Sequence, residues 1–318
     1  QKELAYIVSY LRENCKGFAN ASLKATAPQL YVRESRHIIG EYQLTIDDVL
    51  ENRDCWDKIA IGSYPVDVQP TAQQTYGTVV GNPDRYAIPY RSIVPLEVEN
   101  LLVVGRSASY KSLAAGSARV IPIGMAEGEA AGAAAYAVNN SVAVREIAYD
   151  KTAVASIQAT LKAQGAYLED FDLPEEIMSH WAYDGVKTLR ALGLLDGGYD
   201  NNYYLEEPMG KWRYQNMLNG VLNKAGIAHD YIEVNDNVPA RQVIGTAARA
   251  AAGFVGVKNP DDFEGYKAWL LGEGILTDEL MPYFAESEAA PESDAVIMLC
   301  ANLYKYLLAH GARGVQID

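Results

Sequence analysis

The chain has 318 residues, of which 49% are hydrophobic and 21% are charged, so it can bury a large core and should hold about two domains. Its formal net charge of -14 predicts that it does not bind nucleic acid, because phosphate backbones are bound by basic surfaces. Most of the negative charge follows residue 150, which indicates two regions with different partners.

Two further classes of protein are excluded by the sequence. There is no run of about 18 apolar residues, and Glu127 and Glu129 interrupt the alanine-rich stretch from Met125 to Val138, so no direct membrane span is predicted. The cysteines form no C-x-x-C pair and lie far apart: Cys15, Cys55 and Cys300. They therefore predict neither a disulfide framework nor a metal site.

The first hundred residues show one helix and then mostly extended segments. Residues Gln1 to Asn14 have apolar side chains at helical spacing, and because this helix begins without a capping residue we expect upstream sequence to be missing. Residues 30–44 are expected to be extended, and residues 47–54 to form a short helix. The segment from Ile59 to Pro95 is rich in Tyr, Pro, Gly and Gln, which favours strands and long loops that would form a substrate wall.

The stretch from Glu99 to Val138 is the most informative part of the chain. It predicts a short buried strand over Leu101 to Val104, a glycine turn and loop up to Ala115, and then a long helix. The helix should begin near residues 118–121, because Pro122 lacks an N–H group and fits only a first turn. Free N–H groups at a helix start favour an anion, and a reduced flavin or a phosphate would suit this one equally.

Three glycines, Gly124, Gly128 and Gly132, share one face of this predicted helix. Their spacing predicts a face that another backbone approaches closely. Helix-on-sheet packing explains such glycines by itself, so they do not prove a nucleotide site.

The last part of the chain is predicted to be helical. Residues 151–168 form an amphipathic helix that ends near Gly165, and beyond it the sequence matches itself at an offset of 81 residues. The offset aligns Gly193 with Gly274, Leu194 with Ile275, Leu195 with Leu276, Tyr203 with Phe284, Met217 with Met298 and Leu218 with Leu299. This pattern predicts a duplicated unit of helix, loop and helix.

Several stretches of the first half carry a recognisable pattern: Arg33-Glu34-Ser35-Arg36, Gly40-Glu41-Tyr42, Gly62-Ser63-Tyr64-Pro65, Tyr86 to Pro95, Asn100 to Arg106, Gly116 to Val120 and Gly128 to Gly132. In this order they resemble the carboxy-terminal half of the FAD-dependent oxidoreductase family, over roughly residues 1–168. The resemblance implies an α/β fold over residues 1–150, with part of a Rossmann-like FAD-binding domain and a β-rich substrate region. Residues 151–168 would connect it to an all-α helical module over residues 169–318.

By this resemblance the cofactor is FAD. The glycine turn would pass the ribityl and pyrophosphate part, and the helix start would face the flavin ring and stabilise the negative charge of its reduced form. The predicted cofactor contacts are Gly105, Arg106, Gly116, Ser117, Arg119 and Val120.

Four side chains form the candidate substrate site: Arg33, Arg36, Tyr90 and Arg91. Guanidinium groups bind carboxylates through paired hydrogen bonds, so this patch would orient an acidic or polar small molecule, although a structural role is an equal alternative. We expect His37 to be packed rather than to act as a base. No catalytic residue and no metal ligand is predicted.

The phosphate fingerprint G-x-G-x-x-G occurs nowhere in the sequence. In the resembling family it belongs to an amino-terminal segment. Three explanations stay open: the protein was cut, it works beside a separate chain that carries this segment, or it holds no FAD.

Residues 169–318 resemble degenerate S-layer-homology repeats, through His180-Trp181-Ala182, Gly197-Gly198-Tyr199 and the helices around them. The resemblance implies binding to a bacterial cell-wall polymer, and it slightly favours a cell-envelope or extracytoplasmic location. Residues 209–213 lack the repeats' Arg beside Thr and Glu, so a helical cap or an oligomerisation unit is an equal alternative. Trp181 and Trp269 are expected in the core.

The leading interpretation is an oxidoreductase that passes hydride from a polar small molecule to FAD. The alternative is a non-catalytic cell-envelope or interaction module built on the helical repeats. A nicotinamide-dependent dehydrogenase is disfavoured, since no second dinucleotide fingerprint occurs.

Overall fold

The computed structural model describes residues 2–29, 31–70, 76–138, 143–258 and 262–315. Contacts between Cα atoms divide the chain into two compact units, Gln1–Ser35 and Arg36–Asp318, which are described separately. The first unit contains helix α1 (Lys2–Asn14), with Glu3 in its first turn and Arg12 in its last, as the helix dipole favours. The predicted helix is therefore confirmed, while Gln1 and Leu30 lie outside the described residues.

The second unit begins with a short helix and two small sheets. Helix α2 (Ile46–Leu50) starts at a capping box, because Thr45 accepts from the Asp48 N–H while the Asp48 carboxylate accepts from the Thr45 N–H. Strand β1 (Lys58–Gly62) pairs antiparallel with β4 (Tyr86–Pro89), and β2 (Asp67–Val68) pairs antiparallel with β3 (Thr78–Val79). The strands and loops predicted for residues 59–95 are confirmed where the chain is described.

The strand predicted over Leu101 to Val104 is absent from the described residues. Val103 donates one backbone hydrogen bond to the carbonyl oxygen of Ile93 (2.8 Å), but no named strand pairs with this segment. A strand needs a neighbouring strand to satisfy its backbone groups, and an apolar sequence does not supply one.

Two consecutive helices follow the glycine turn. Helix α3 (Ser112–Ala118) and helix α4 (Ile121–Val138) are separated by Arg119 and Val120. The helix start near residues 118–121 is confirmed, but the loop predicted up to Ala115 is wrong. Ala114, Ala115 and Ala118 are good helix formers whose side chains are all buried.

Two shorter helices close this half of the unit. Helix α5 (Val144–Ile147) leads to α6 (Lys151–Ala163), which begins where the Asp150 carboxylate accepts from the Thr152 N–H (2.8 Å). Helix α6 packs on α4 and ends before Gly165, whose φ is +99°, so the amphipathic helix predicted there is confirmed.

The remaining residues form a helical module: α7 (Tyr183–Ala191), α8 (Lys211–Lys224), α9 (Ala240–Val255), α10 (Phe263–Gly272) and α11 (Ser293–Ala309). Helix α11 is the central element, since it packs against α7, α8 and α9 and most of its side chains are buried. No described helix is both long and apolar enough to cross a membrane.

Two pairs of positions aligned by the 81-residue offset are alike in the structure, whereas Met217 is buried and Met298 only partly buried. Gly193 after α7 and Gly274 after α10 both have left-handed φ values, +69° and +71°, and each lets the chain turn back toward its own helix. Tyr203 and Phe284 are both buried in the module's core. These two pairs agree with the offset, and the duplicated unit itself stays a prediction.

Helix α7 joins the module to the first half of the unit through charged side chains. The fully buried Arg190 guanidinium contacts the Asp47 carboxylate on α2 at 2.6 Å. Although burial favours the neutral form of Glu51, hydrogen bonds from Tyr183 and Lys187 lower its pKa. Residues 36–318 thus form one compact unit, and the division at residues 150 and 168 stays a prediction.

Candidate functional site

A short 3₁₀ helix over Gly105–Ser107 lies against the beginning of α4. Gly105 has φ +71°, a conformation that favours glycine, and a Cβ atom there would have no described atom within 4 Å. A Cβ atom on Gly124 would lie 3.2 Å from the Gly105 Cα atom. The close backbone approach predicted for the glycine face is right at Gly124 and wrong at Gly128 and Gly132, where a Cβ would meet open space among the described residues.

Glu127 links this turn to α4 from within the protein. Its fully buried carboxyl group accepts the Gly105 N–H at Oε2 (2.5 Å) and the Tyr110 hydroxyl at Oε1. Burial raises the pKa of Glu127 to about 8, and the Gly105 hydrogen bond lowers it only in part. Sequence reasoning missed this residue, although a lone acid on the buried face of an apolar helix is a usable signal.

The residues predicted to meet the flavin ring divide into two groups. Gly116 and Ser117 are buried in α3, where the Ser117 hydroxyl donates to the Tyr64 carbonyl oxygen (2.5 Å) and bonds the Tyr86 hydroxyl (2.6 Å). A Cβ on Gly116 would lie 3.0 Å from Val66, so protein atoms fill the space beside this backbone.

The start of α4 is more open. The nearly buried Arg119 donates to the Asp67 carbonyl oxygen (3.2 Å), but Val120 is only half-buried and Ile121 is 70% exposed. Arg106 is exposed on the glycine turn. The accessible members of the predicted cofactor site are therefore Gly105, Arg106 and Val120, and the role of all six residues stays a prediction.

The residues predicted to bind substrate have mostly structural contacts. The buried Tyr90 hydroxyl donates to the Val144 carbonyl oxygen (3.1 Å). The Arg91 guanidinium forms a two-point ion pair with the buried Asp57 carboxylate (2.8 and 3.0 Å), and these hydrogen bonds raise its pKa. Its guanidinium also lies within cation–π distance of the Tyr42 and Trp56 rings.

The other predicted substrate residues are exposed. Arg36 lies at the start of the second unit, and Arg33 belongs to the first unit, with its guanidinium 6.0 Å from the Tyr31 ring centroid. His37 is half-buried with Nδ1 3.2 Å from the Ala108 carbonyl oxygen, which agrees with a packed histidine. The role of the four residues in binding substrate stays a prediction.

A cleft of about 570 Å³ opens in the region predicted as a substrate wall. It is lined by β1, by Arg85, by Glu129 of α4 and by Tyr167. The Arg85 guanidinium donates to the Tyr167 hydroxyl (3.1 Å) at this cleft. None of the four predicted substrate residues lines it, and the substrate wall stays a prediction.

Comparison with known families agrees with the sequence resemblance. The FAD dependent oxidoreductase family matches residues 1–161, which is just over half of the chain. The class of protein is thus a flavin-dependent oxidoreductase, and the chain belongs to the FAD dependent oxidoreductase family. No curated protein and no solved structure matches the chain.

Proposed function

We propose that this chain contributes to a flavin-dependent enzyme that oxidises a polar small molecule, with FAD bound along the Gly105–Ser107 turn and the first turn of α4. The observation that carries the proposal is the turn itself, because Gly105 is held against Gly124 while the space beside its Cα atom stays open. A bound flavin would supply the hydride acceptor.

The donors at this position fit a flavin nucleotide. The first turn of α4 presents backbone N–H groups that have no partner within the helix, and an exposed guanidinium on Arg106 lies on the adjoining turn. Such donors stabilise negative charge on a phosphate or on a reduced ring. Gly116 and Ser117 fit less well, since α3 buries both.

We further propose that α4 binds a dinucleotide-binding unit that carries the G-x-G-x-x-G fingerprint on a separate chain. A helix that is apolar on all sides is normally buried, yet Ile121 and Met125 are each 70% exposed and Tyr136 is 75% exposed. Gly128 and Gly132 lie on the exposed side of the same helix, and small residues allow a second helix to approach closely. The chemistry of this face therefore suits another helix with small side chains.

Flavin binding tests the first proposal directly. FAD is titrated into the purified chain and followed through quenching of its fluorescence and through its visible spectrum. We expect saturable binding that Arg106→Ala weakens about tenfold, by the loss of a charge-assisted contact. Arg241→Ala is the matched control, because Arg241 is exposed and forms an ion pair with the exposed Glu288. The absence of any flavin signal with the wild-type chain would contradict the proposal for this chain alone.

A photo-cross-linking residue in place of Met125 tests the partner. The expected product joins α4 to a polypeptide whose sequence carries the dinucleotide fingerprint. The same residue in place of the exposed Tyr199, in the helical module, is the control. A Met125 cross-link to polypeptides without the fingerprint, or the same products from both positions, would contradict the proposed partner.

A second candidate function, binding of a neutral cell-wall polysaccharide, is favoured by one surface of the helical module. Trp181 is 41% exposed, so its predicted place in the core was wrong; its indole stacks on Tyr283 with centroids 5.2 Å apart and donates to the Asp294 carboxylate (2.9 Å). Trp181 and Tyr204 line a cleft of about 900 Å³. The carboxylates on its walls disfavour an anionic polymer: Glu175, Glu176, Asp200, Glu206 and Glu207.

Retention on purified cell-wall polymer separates this candidate from the flavin proposal. If the cleft binds sugar, Trp181→Ala should lose most of the retention, and removal of FAD should change nothing. Trp212→Ala, which changes an exposed tryptophan outside this cleft, serves as the control. Equal retention of the three proteins, or none, would contradict a sugar site in the cleft.

A further inference from the structure

We propose that Glu127 is a positioning residue: its buried carboxyl group fixes the Gly105–Ser107 turn to α4 and thereby sets where Gly105 and Arg106 meet the cofactor. The inference rests on the proposed function, because it concerns the same flavin site. It adds a residue that touches neither substrate nor cofactor and acts through the backbone of the turn.

The geometry ties three separate segments to one carboxyl group. Oε2 accepts the N–H of Gly105, Oε1 accepts the hydroxyl of Tyr110, and the side chain itself belongs to α4. The contact lies one helical turn beyond Gly124, whose missing Cβ lets the Gly105 backbone approach the helix. The glycine contact sets the distance between turn and helix, while the carboxyl group sets the direction of the Gly105 N–H.

The chemistry of the site indicates more than core packing. A buried carboxyl group without a cation is unfavourable, and the oxygens of Glu127 face an amide and a phenol instead. An apolar side chain of the same volume would fill the space at less cost, but it would leave the Gly105 N–H without an acceptor. The acceptor is therefore the property that the site requires.

The link to Gly105 is compatible with either protonation state of Glu127. An amide N–H only donates, so Oε2 remains an acceptor in both states. In the neutral acid the proton sits on Oε1, where the Tyr110 hydroxyl can accept it. The Gly105 hydrogen bond is thus kept while the Tyr110 bond reverses its direction.

The first experiment measures the turn without flavin. Hydrogen exchange of the Gly105 amide is compared in the wild-type chain, in Glu127→Met and in Glu127→Gln. Met fills the same space without an acceptor, so exchange should accelerate at least about tenfold, whereas Gln offers a carbonyl oxygen and should restore protection. Glu129→Gln, which changes the exposed acid nearby on α4, should leave exchange unchanged. Equal Gly105 exchange in the wild type and in Glu127→Met would overturn the proposal.

The second experiment measures the consequence for the cofactor. We expect Glu127→Met to weaken FAD binding about tenfold and to shift the visible flavin spectrum, and Glu127→Gln to recover both. If wild type and Glu127→Met bind FAD with the same affinity and spectrum, Glu127 positions nothing at the site and the inference fails.

The two experiments also separate this inference from the proposed function. A wild-type chain that binds no FAD would contradict the proposed function, whereas the exchange measurement still tests the link between Glu127 and Gly105. If Glu127→Met fails to fold, Tyr110→Phe serves as a second variant. It removes the hydroxyl that donates to Glu127 and leaves the hydrogen bond between the Gly105 N–H and Glu127 in place. That variant should retain Gly105 protection, and loss of protection would show that Tyr110 rather than Glu127 holds the turn.

Discussion

The helical module and the family-matched half of the second unit differ in how completely they cover their own apolar surface. In the module, α11 is surrounded by α7, α8 and α9, and its aliphatic side chains are buried. In the other half, α4 is also apolar but leaves Ile121 and Met125 in solvent, and each sheet has two strands among the described residues. Two-stranded sheets are marginal by themselves. The comparison teaches that the module covers its own core, whereas the flavoprotein half leaves apolar side chains of α4 in solvent.

The contact between the two regions is also unusual in its chemistry. Buried or partly buried charged groups on α2 and α7 take part in it, among them Arg190 and Asp47. Loops add to it, since the Asn82 N–H donates to the Asn201 side-chain oxygen (2.8 Å). Hydrogen bonds and ion pairs form only when donor and acceptor are correctly oriented. They therefore hold the module in one orientation on the flavoprotein half.

The largest effect is expected from breaking this contact with Arg190→Met. Loss of the guanidinium leaves Asp47 and the Tyr183 hydroxyl with fewer partners, and the free energy of unfolding should fall by about 3 to 5 kcal/mol. Urea unfolding measures the change. Lys211→Met is the control, because its partner Asp236 is exposed and the pair should contribute less than about 1 kcal/mol. If the two variants lowered the free energy of unfolding equally, the contact between the two regions would not depend on Arg190.

A second pair of variants compares the two apolar surfaces. Leu299→Ala, in the fully buried part of α11, should reduce the free energy of unfolding by about 2 to 5 kcal/mol. Met125→Ala, on the exposed face of α4, should change it by less than about 0.5 kcal/mol in the chain alone. Thermal unfolding of both variants measures the two changes in stability. A large cost for Met125→Ala would mean that this face is already covered within the chain.

A third comparison concerns two glycines on the same helix. Gly124→Ala places a methyl group 3.2 Å from the Gly105 Cα atom and should cost about 1 to 3 kcal/mol. Gly128→Ala meets open space among the described residues and should stabilise the helix by up to about 1 kcal/mol. Equilibrium unfolding in denaturant measures both. If Gly128→Ala destabilised the chain as much as Gly124→Ala, the close approach at Gly105 would not be the cause.

The last effect is a pH dependence caused by Glu127, whose size depends on the pH window that is measured. Its pKa is about 8 in the folded protein and near 4.5 without the fold, so the folded state holds the extra proton between these values. The stabilisation is complete below about pH 4.5 and is lost as the pH rises toward 8, with a slope of up to about 1.4 kcal/mol per pH unit. Burial raises the pKa of the neighbouring Tyr86 above its usual value, so Tyr86 stays neutral throughout this range.

Unfolding free energies of the wild type and Glu127→Gln between about pH 5 and pH 8 measure this slope. The stability of the wild type should fall relative to that of Glu127→Gln as the pH rises, because Gln cannot release a proton. Glu129→Gln should follow the wild type, since Glu129 is exposed. Parallel curves for the wild type and Glu127→Gln would show that the carboxyl group keeps an ordinary pKa.

Several features of the fold follow from the sequence because they depend on short-range chemistry. The proline at position 122 restricts the start of α4 to the residues just before it, and Asp150 caps α6 through its own neighbours. Gly193 and Gly274, which an offset visible in the sequence aligns, have similar φ values. The family membership likewise rests on stretches of adjacent residues.

Other features were decided only by the tertiary structure. Nothing local shows that Ser117 turns toward Tyr64 and Tyr86, or that Arg91 pairs with Asp57 across 34 residues. The sequence placed Glu127 in an apolar helix, but its partner Gly105 lies 22 residues earlier. Helix starts and glycine turns are set by a few neighbouring dihedral angles, whereas the burial and partner of a polar side chain depend on distant segments that pack together only when the whole chain folds.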